Sequence, residues 1–313
     1  MSNYLTALCN YANNYDVGKF FKAPTTNTIF HYTNLSTLGI IIDKNEIRFV
    51  DRFFLNDYSE GIYVLDLCLE IVGQLKFPKE GLKNEFIKKC QERKKTPQYD
   101  NFFVFQASFS SDQDSLAMWN YYGKKGCNLG FNVDELVGGL NLECEDENKQ
   151  PKVYYGKIEY DKQKQIEIIK NISNEFYEFH QDYLSKNYDN KNEVYFPLDV
   201  MIDKIMTAGI FFKSHDFKVE KEYRLAYSLC MKTSEDGNLR YALIKNKQTF
   251  FEREGMFVPC VDLKFSPESF ESITIAPTLD FEYAKNSILR VMGDKFQNIS
   301  PNTIIKSNIP VRF

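Results

Sequence analysis

Histidine and tryptophan are scarce in this chain of 313 residues, which has three His and one Trp. The histidines are His31, His180 and His215, and no His and acidic residue spaced one helical turn apart stand out as a pair of metal ligands. The sequence also lacks a P-loop, a GxGxxG fingerprint, an HExxH motif and a GxSxG nucleophile elbow. No metal site is therefore predicted, and the common motifs identify no activity.

The seven cysteines are odd in number, widely spaced and without a CxxC pair. This pattern excludes a zinc ribbon and argues against a disulfide framework. No apolar run approaches the ~20 residues of a membrane span, and the first residues lack the basic and apolar regions of a signal peptide. We therefore expect a soluble, cytoplasmic protein that does not associate with a membrane.

An excess of positive charge is also missing, since 39 Lys and Arg against 43 Asp and Glu give a net charge of −4. Proteins that bind nucleic acid or anionic lipid generically need surplus Lys and Arg to neutralise phosphates, so generic binding of this kind is not expected. The hydrophobic fraction of 43%, with 15% aromatic residues, is enough to form a folded core.

Predicted strands alternate irregularly with helices, which is typical of an α+β fold. The nearly continuous apolar run Phe102–Phe109 predicts a central strand, and Gln113–Tyr122 predicts a short helix. Residues 161–210 have a helical pattern. We expect a single domain spanning residues 1–313, with a core of about 28–160 and 211–313 and a helical insertion at about 161–210.

Six short polar and aromatic segments carry most of the unusual local sequence. In order, they are Ile29–Thr33, Phe54–Glu60, Ser108–Ser110 with Ser115–Gly123, Gly130–Phe131, Phe212–Lys213 with Glu220–Leu225, and Ile273–Pro277 with Ile309–Phe313.

This ordered set resembles a bacterial family known as domain of unknown function 2971. Its marks are HYT near the start, NDxxE, SFS followed by MWxxYG, a segment ending in EKEYR, and a terminal proline–arginine strand. The resemblance runs from about Phe30 to Phe313. The layout of that family is similar to the ADP-ribosyltransferase superfamily, which implies split mixed or antiparallel sheets and NAD as the substrate.

The second resemblance implies roles for three parts of the chain. His31 matches the histidine that contacts the ribose of the cofactor. Glu220-Lys221-Glu222 matches an E-x-E triplet, which makes Glu222 the catalytic candidate and Glu220 the acid that orients the acceptor. An aromatic residue stacks on nicotinamide in such enzymes, and Tyr121, Tyr122 and Tyr58 compete for this role. The further candidates for binding the cofactor are Tyr32, Thr33, Arg48, Tyr122 and Arg224.

The chemistry of NAD cleavage suits these residue types. Positive charge develops on the ribose as the bond to nicotinamide breaks, and a carboxylate complements that charge. Nicotinamide leaves as a neutral molecule, so no strong general acid is needed. Arg48 or Arg224 would neutralise the pyrophosphate, for which the bidentate geometry of arginine is well suited.

Each candidate also has a structural interpretation. Glu220, Glu222 and Arg224 alternate along a predicted strand, and they could form an ion pair on a solvated face. The other candidates are polar or aromatic residues with ordinary roles in caps, cores or helix ends: Asn56, Asp57, Glu60, Ser108, Trp119 and Lys213.

The sequence thus favours an ADP-ribosyltransferase-like protein that transfers ADP-ribose to an unknown macromolecular acceptor or hydrolyses NAD, in the manner of a toxin or phage-defence effector. One alternative is an inactive module that binds a nucleotide or a partner. The other is a metal-dependent nuclease or hydrolase built on Asp57, Glu60 and Glu222.

Overall fold

Helices and strands alternate along the chain in a computed structural model. The structure describes residues 3–21, 27–55, 61–95, 102–142, 152–186, 197–230, 232–233, 239–240, 249–293, 295–296 and 299–310. The α-helices in these ranges are α1 (Asn3–Asn14), α2 (Leu35–Lys44), α3 (Tyr63–Ile71), α4 (Glu80–Lys95), α5 (Leu116–Tyr121), α6 (Val133–Gly139), α7 (Lys162–Lys186), α8 (Leu198–Gly209) and α9 (Phe281–Met292). The strands are β1 (Thr28–Asn34), β2 (Glu46–Asp51), β3 (Phe102–Ser110), β4 (Gly126–Asn132), β5 (Lys152–Lys157), β6 (Glu222–Cys230), β7 (Lys232–Thr233), β8 (Leu239–Arg240), β9 (Thr249–Arg253), β10 (Met256–Lys264), β11 (Phe270–Ile275) and β12 (Ile304–Lys306).

Ten of these strands form one sheet, which confirms the predicted α+β class. The order along the sheet is β12-β11-β4-β1-β3-β2-β10-β9, and β6 joins β3 to β5. The sheet is mixed in orientation because β11 and β12 are parallel, whereas the other pairs in the sheet are antiparallel.

Strand β3 is central, as its apolar run predicted, and one of its edges is divided between two strands. β6 pairs with β3 from Phe102 to Ser110 along one edge. On the other edge, Phe105 and Gln106 pair with β2, whereas Ser110 pairs with β1. β1 and β2 therefore diverge beside residues 107–109 of β3, and we call this place the fork.

The apolar core covers one face of this sheet. Ala107 and Phe109 of β3 pack there with Tyr223 and Leu225 of β6, and all four residues are buried. Because successive strand residues point to opposite faces, residues 108, 110, 222 and 224 lie on the other face. The polar residues of β3 and β6 are thereby kept out of the core.

The described chain divides into two compact units. A helical unit contains Met1–Lys22, Asn56–Asp100 and Ile158–His215, and a sheet unit contains Ala23–Leu55, Asn101–Lys157 and Asp216–Phe313. The predicted helical insertion lies in the helical unit together with two earlier segments of the chain. No helix among the described residues is both long and apolar enough to cross a membrane.

Candidate functional site

Ser108, Glu222 and Arg224 form a hydrogen-bonded cluster on the polar face of β3 and β6. Ser108 Oγ donates to Glu222 Oε1 at 2.6 Å. Arg224 donates to the same oxygen from Nε at 2.9 Å and from Nη2 at 2.8 Å. The side chains of Glu222 and Arg224 are only 4% and 2% exposed, so the ion pair is buried rather than on a solvated face.

His31 contacts the backbone of Ser108 from β1, at the fork. Its Nδ1 lies 3.1 Å from the carbonyl oxygen of Ser108, which lies between the β3 residues that pair with β2 and with β1. A carbonyl can only accept, so Nδ1 carries the proton, and Nε2 of the neutral ring is an acceptor. Burial lowers the pKa of His31, against the opposing effect of the hydrogen bond to Ser108. The imidazole is therefore held neutral with a defined tautomer.

Solvent reaches the cluster at Ser108. Ser108 is exposed and His31 is half-buried, whereas Glu222 and Arg224 are buried behind them. His31 and Glu222, which are far apart in sequence, thus both contact Ser108, His31 at the backbone carbonyl and Glu222 at the hydroxyl. The His31 ring also lies against Phe109, with ring centroids 5.5 Å apart.

Glu220 contacts Tyr122 and Ser110, and its backbone is not the strand that was predicted. The expectation that residues 220–224 alternate along a strand was wrong for Glu220, because a 3-10 helix runs through His215–Glu220 and β6 begins at Glu222. Lys221, between the two, has a left-handed backbone with φ of 44°. The Glu220 carboxylate accepts from Tyr122 Oη at 3.0 Å, and its carbonyl accepts from Ser110 Oγ at 2.8 Å.

A turn at residues 111–115, after β3, fixes the backbone around Lys221. Ser111 donates to the Lys221 carbonyl from its amide at 2.9 Å and from its hydroxyl at 3.1 Å. Asp112 Oδ2 lies 2.8 Å from Lys221 Nζ. These contacts hold Lys221 in its left-handed conformation and so orient both Glu220 and Glu222.

Asp114 anchors the same turn to other elements, and sequence reasoning missed it. Its carboxylate accepts from Trp119 Nε1 at 2.7 Å, from Ser307 Oγ at 2.6 Å and from the Asn308 amide at 2.7 Å. The helix predicted to start at Gln113 begins at Leu116 instead. Ser115 could have predicted where this helix begins, because serine is a favoured N-cap and the residues before an N-cap lie outside the helix.

Tyr32 and Trp119 have structural contacts. The Tyr32 hydroxyl donates to the Asp112 carbonyl at 2.7 Å and accepts from the Ser115 amide at 3.0 Å. The rings of Tyr32 and Trp119 meet edge to face at 4.7 Å. Both side chains thus support the turn, which agrees with the core interpretation of Trp119.

The remaining candidates lie elsewhere. Arg48 makes a bidentate pair with Asp262 at 2.7 and 2.8 Å. Thr33 is buried in β1 beside Cys127 of β4. Lys213 belongs to the helical unit, where its carbonyl accepts from Gln165 Nε2 at 3.0 Å.

Four residues of the predicted NDxxE segment, Asn56, Asp57, Tyr58 and Glu60, lie outside the described residues. Within the described ranges, no group of three or more His, Cys, Asp or Glu side chains is placed to hold a metal ion. The cluster offers a carboxylate and a hydroxyl, and His31 offers an imidazole acceptor beside the Ser108 carbonyl. Each of these groups can accept from a hydroxyl group of a ligand.

Residues 118–225 match the model of a family described as a protein of unknown function (DUF2971). The match confirms the family predicted from the ordered motifs and spans about a third of the chain. It includes Glu222 and Arg224, whereas His31 and Ser108 precede it. No curated protein and no solved structure matches the chain.

Proposed function

We propose that the Ser108 cluster is the site of an ADP-ribosyltransferase-like enzyme that binds NAD and breaks its nicotinamide–ribose bond, passing ADP-ribose to an acceptor or to water. One observation carries the proposal: His31 and Glu222 contact the two polar groups of the same exposed serine. These two residues are the ones for which the resemblance to ADP-ribosyltransferases implies contact with ribose and catalysis.

Glu222 would supply the negative charge that the reaction needs. Three donor hydrogen bonds fix one oxygen of its carboxylate, so the charge is oriented before a substrate arrives. As the bond breaks, positive charge moves from the nicotinamide ring to the ribose, where it interacts more strongly with such a fixed carboxylate than the uncharged ribose of the ground state does. The interaction therefore lowers the barrier instead of only tightening binding.

His31 and Ser108 would bind the ribose hydroxyl groups. With Nδ1–H donated to Ser108, the Nε2 lone pair of His31 is suited to accept from a hydroxyl. Ser108 Oγ donates its proton to Glu222 and keeps its lone pairs for a second hydroxyl. These two acceptors suit a ribose, which presents adjacent hydroxyl donors.

Among the aromatic candidates we choose Tyr122, because its hydroxyl donates to Glu220. Its ring would stack on nicotinamide, and Glu220 would orient an acceptor. Arg48 and Arg224 already have carboxylate partners, Asp262 and Glu222. To bind the pyrophosphate, each guanidinium would have to divide its N–H donors between that carboxylate and the substrate.

An activity of this kind would act in the cytoplasm, where NAD is abundant, and would suit a toxin or phage-defence effector. The test combines nicotinamide release by the intact protein, with and without EDTA, and its melting temperature over an NAD titration. A ligand that binds only the folded state raises the melting temperature by mass action.

We expect nicotinamide release that EDTA leaves unchanged, together with a rising melting temperature. Stabilisation by NAD without nicotinamide release would overturn the enzymatic proposal in favour of an inactive binding module. Release that EDTA abolishes would favour a metal-dependent hydrolase. A flat titration without release would exclude the NAD site altogether.

A further inference from the structure

Two adjacent tyrosines and two lysines lie together on the surface between α5 and β4. Tyr121 is 70% exposed and Tyr122 is 37% exposed, and their ring centroids are 6.3 Å apart. Lys124 and Lys125 follow and are also exposed. We call residues 121–125 the Tyr121–Lys125 segment.

The segment is held firmly by its surroundings. The Tyr122 amide donates to the Met118 carbonyl at 2.9 Å at the end of α5, and the Gly126 amide donates to the Gly123 carbonyl at 3.1 Å. Thr278 Oγ1 donates to the Lys124 carbonyl. The aromatic rings and the ammonium groups are therefore presented on a tight turn, which reduces the entropy lost when a ligand binds.

The charges around the segment favour an anionic ligand. Lys124 and Lys125 make no ion pair with any residue that the structure describes, so their charge is available to a ligand. The Glu220 carboxylate accepts from Tyr122 and is buried, and the charge of Asp112 is offset by its ion pair with Lys221. The net charge of −4 does not oppose a local contact strongly, because salt screens charges beyond about 8 Å at physiological ionic strength.

We propose that the Tyr121–Lys125 segment binds single-stranded nucleic acid, by base stacking on Tyr121 and phosphate contacts from Lys124 and Lys125. Exposed aromatic rings beside cations are the usual platform for unpaired bases. An acidic peptide would satisfy the lysines but would leave the flat face of Tyr121 without a matching group. This binding does not depend on the proposed NAD chemistry, so it stands or falls separately.

The test measures fluorescence anisotropy of labelled single-stranded DNA and RNA oligonucleotides with the full chain in the absence of NAD. Tyr121→Ala should weaken binding at least about fivefold, because stacking of one base contributes on that order. Tyr121→Phe should bind like the parent, since it keeps the ring. The matched control is Tyr283→Ala, which removes a tyrosine that is 81% exposed on α9.

The lysines are tested by Lys124→Gln/Lys125→Gln against Lys83→Gln/Lys88→Gln, which makes the same charge change on α4. We expect the first pair to weaken binding and to flatten its salt dependence, whose slope for two phosphate contacts on a single strand is roughly −1.4. The control pair should have little effect.

Three results would overturn the proposal. One is no binding at millimolar protein, and another is binding that survives both Tyr121→Ala and the Lys124/Lys125 change. The third is equally tight binding of a poly-aspartate peptide of the same charge with the same sensitivity to Tyr121→Ala, which would identify an acidic protein as the partner.

Discussion

Ser108 connects the two candidate catalytic residues because it uses separate groups for each. Its carbonyl accepts from His31, and its hydroxyl donates to Glu222. The serine is exposed while the carboxylate behind it is buried. A buried, oriented charge beside a solvent-accessible hydroxyl is the arrangement expected where a ligand must meet a fixed electrostatic field.

The buried pair of Glu222 and Arg224 makes a strong prediction about stability. Arg224→Met should lower the free energy of unfolding by about 3–5 kcal/mol, because it leaves the Glu222 carboxylate buried without its guanidinium. Glu222→Gln/Arg224→Met removes both charges and should cost clearly less than Arg224→Met alone. Urea unfolding of the parent, Glu222→Gln, Arg224→Met and the double variant measures this cycle. A double variant whose cost equals the sum of the two single costs would show that the pair is not coupled.

His31 makes a prediction about pH. Burial lowers its pKa in the folded protein below the unfolded value of about 6.5. Its contribution to stability is therefore present above pH about 6.5 and is lost as the pH falls through the lower folded-state pKa. Between pH 7 and pH 5, the parent should lose unfolding free energy relative to His31→Gln, whose amide can still donate to Ser108. A difference that does not change with pH would mean that His31 titrates normally in the folded state.

At the scale of elements, the sequence predicted β3 well but could not reveal its fork. An apolar run identifies a buried strand, and β3 indeed has neighbours on both edges. The division of one edge between β1 and β2 depends on pairings between distant segments, such as His31 with Ser108, 77 residues apart. Local patterns do not contain that information.

The backbone conformation just before Glu222 was predicted wrongly because of one residue, Lys221. Strand alternation assumes an extended backbone, but Lys221 has a positive φ, and no Gly or Asn there announces it. Ser111 and Asp112 stabilise this conformation from another segment. The residue types of the site were thus predictable, whereas the route by which Glu220 reaches it was not.

Close contact between β1 and β4 gives a prediction at this scale. A Cβ on Gly126 would lie 1.9 Å from the Thr33 carbonyl oxygen, so Gly126→Ala must push the two strands apart. It should lower the free energy of unfolding by at least about 1–3 kcal/mol. Gly39 in α2 has no atom within 4 Å of its Cβ position, and Gly39→Ala should raise stability by about 0.5–1 kcal/mol. Denaturant unfolding compares the two variants, and a neutral Gly126→Ala would contradict the tight register of β1 and β4.

At the scale of the whole molecule, the cluster belongs to one of the two compact units. His31, Ser108, Glu220, Glu222 and Arg224 all lie in the sheet unit. Strands β1, β3 and β6 and the 3-10 helix that ends at Glu220 carry these residues. The proposed chemistry therefore relies on candidate residues of this one unit.

Nicotinamide release by Glu222→Gln tests the central claim most directly. Gln keeps the shape of Glu and an oxygen that can accept from Ser108 and Arg224, but it removes the negative charge. Glu271→Gln is the matched control, since Glu271 is a strand glutamate in the same unit that accepts from Thr28 Oγ1 at 2.8 Å. Both variants are assayed below their melting temperatures, beside Glu222→Gln/Arg224→Met.

If Glu222 stabilises the developing charge, its loss lowers kcat rather than NAD affinity. We expect Glu222→Gln and the double variant to release nicotinamide about 100- to 1000-fold more slowly than the parent, while Glu271→Gln stays close to it. Release by Glu222→Gln at more than about a tenth of the parental rate, a loss of less than about 1.4 kcal/mol in barrier, would contradict a catalytic role for Glu222.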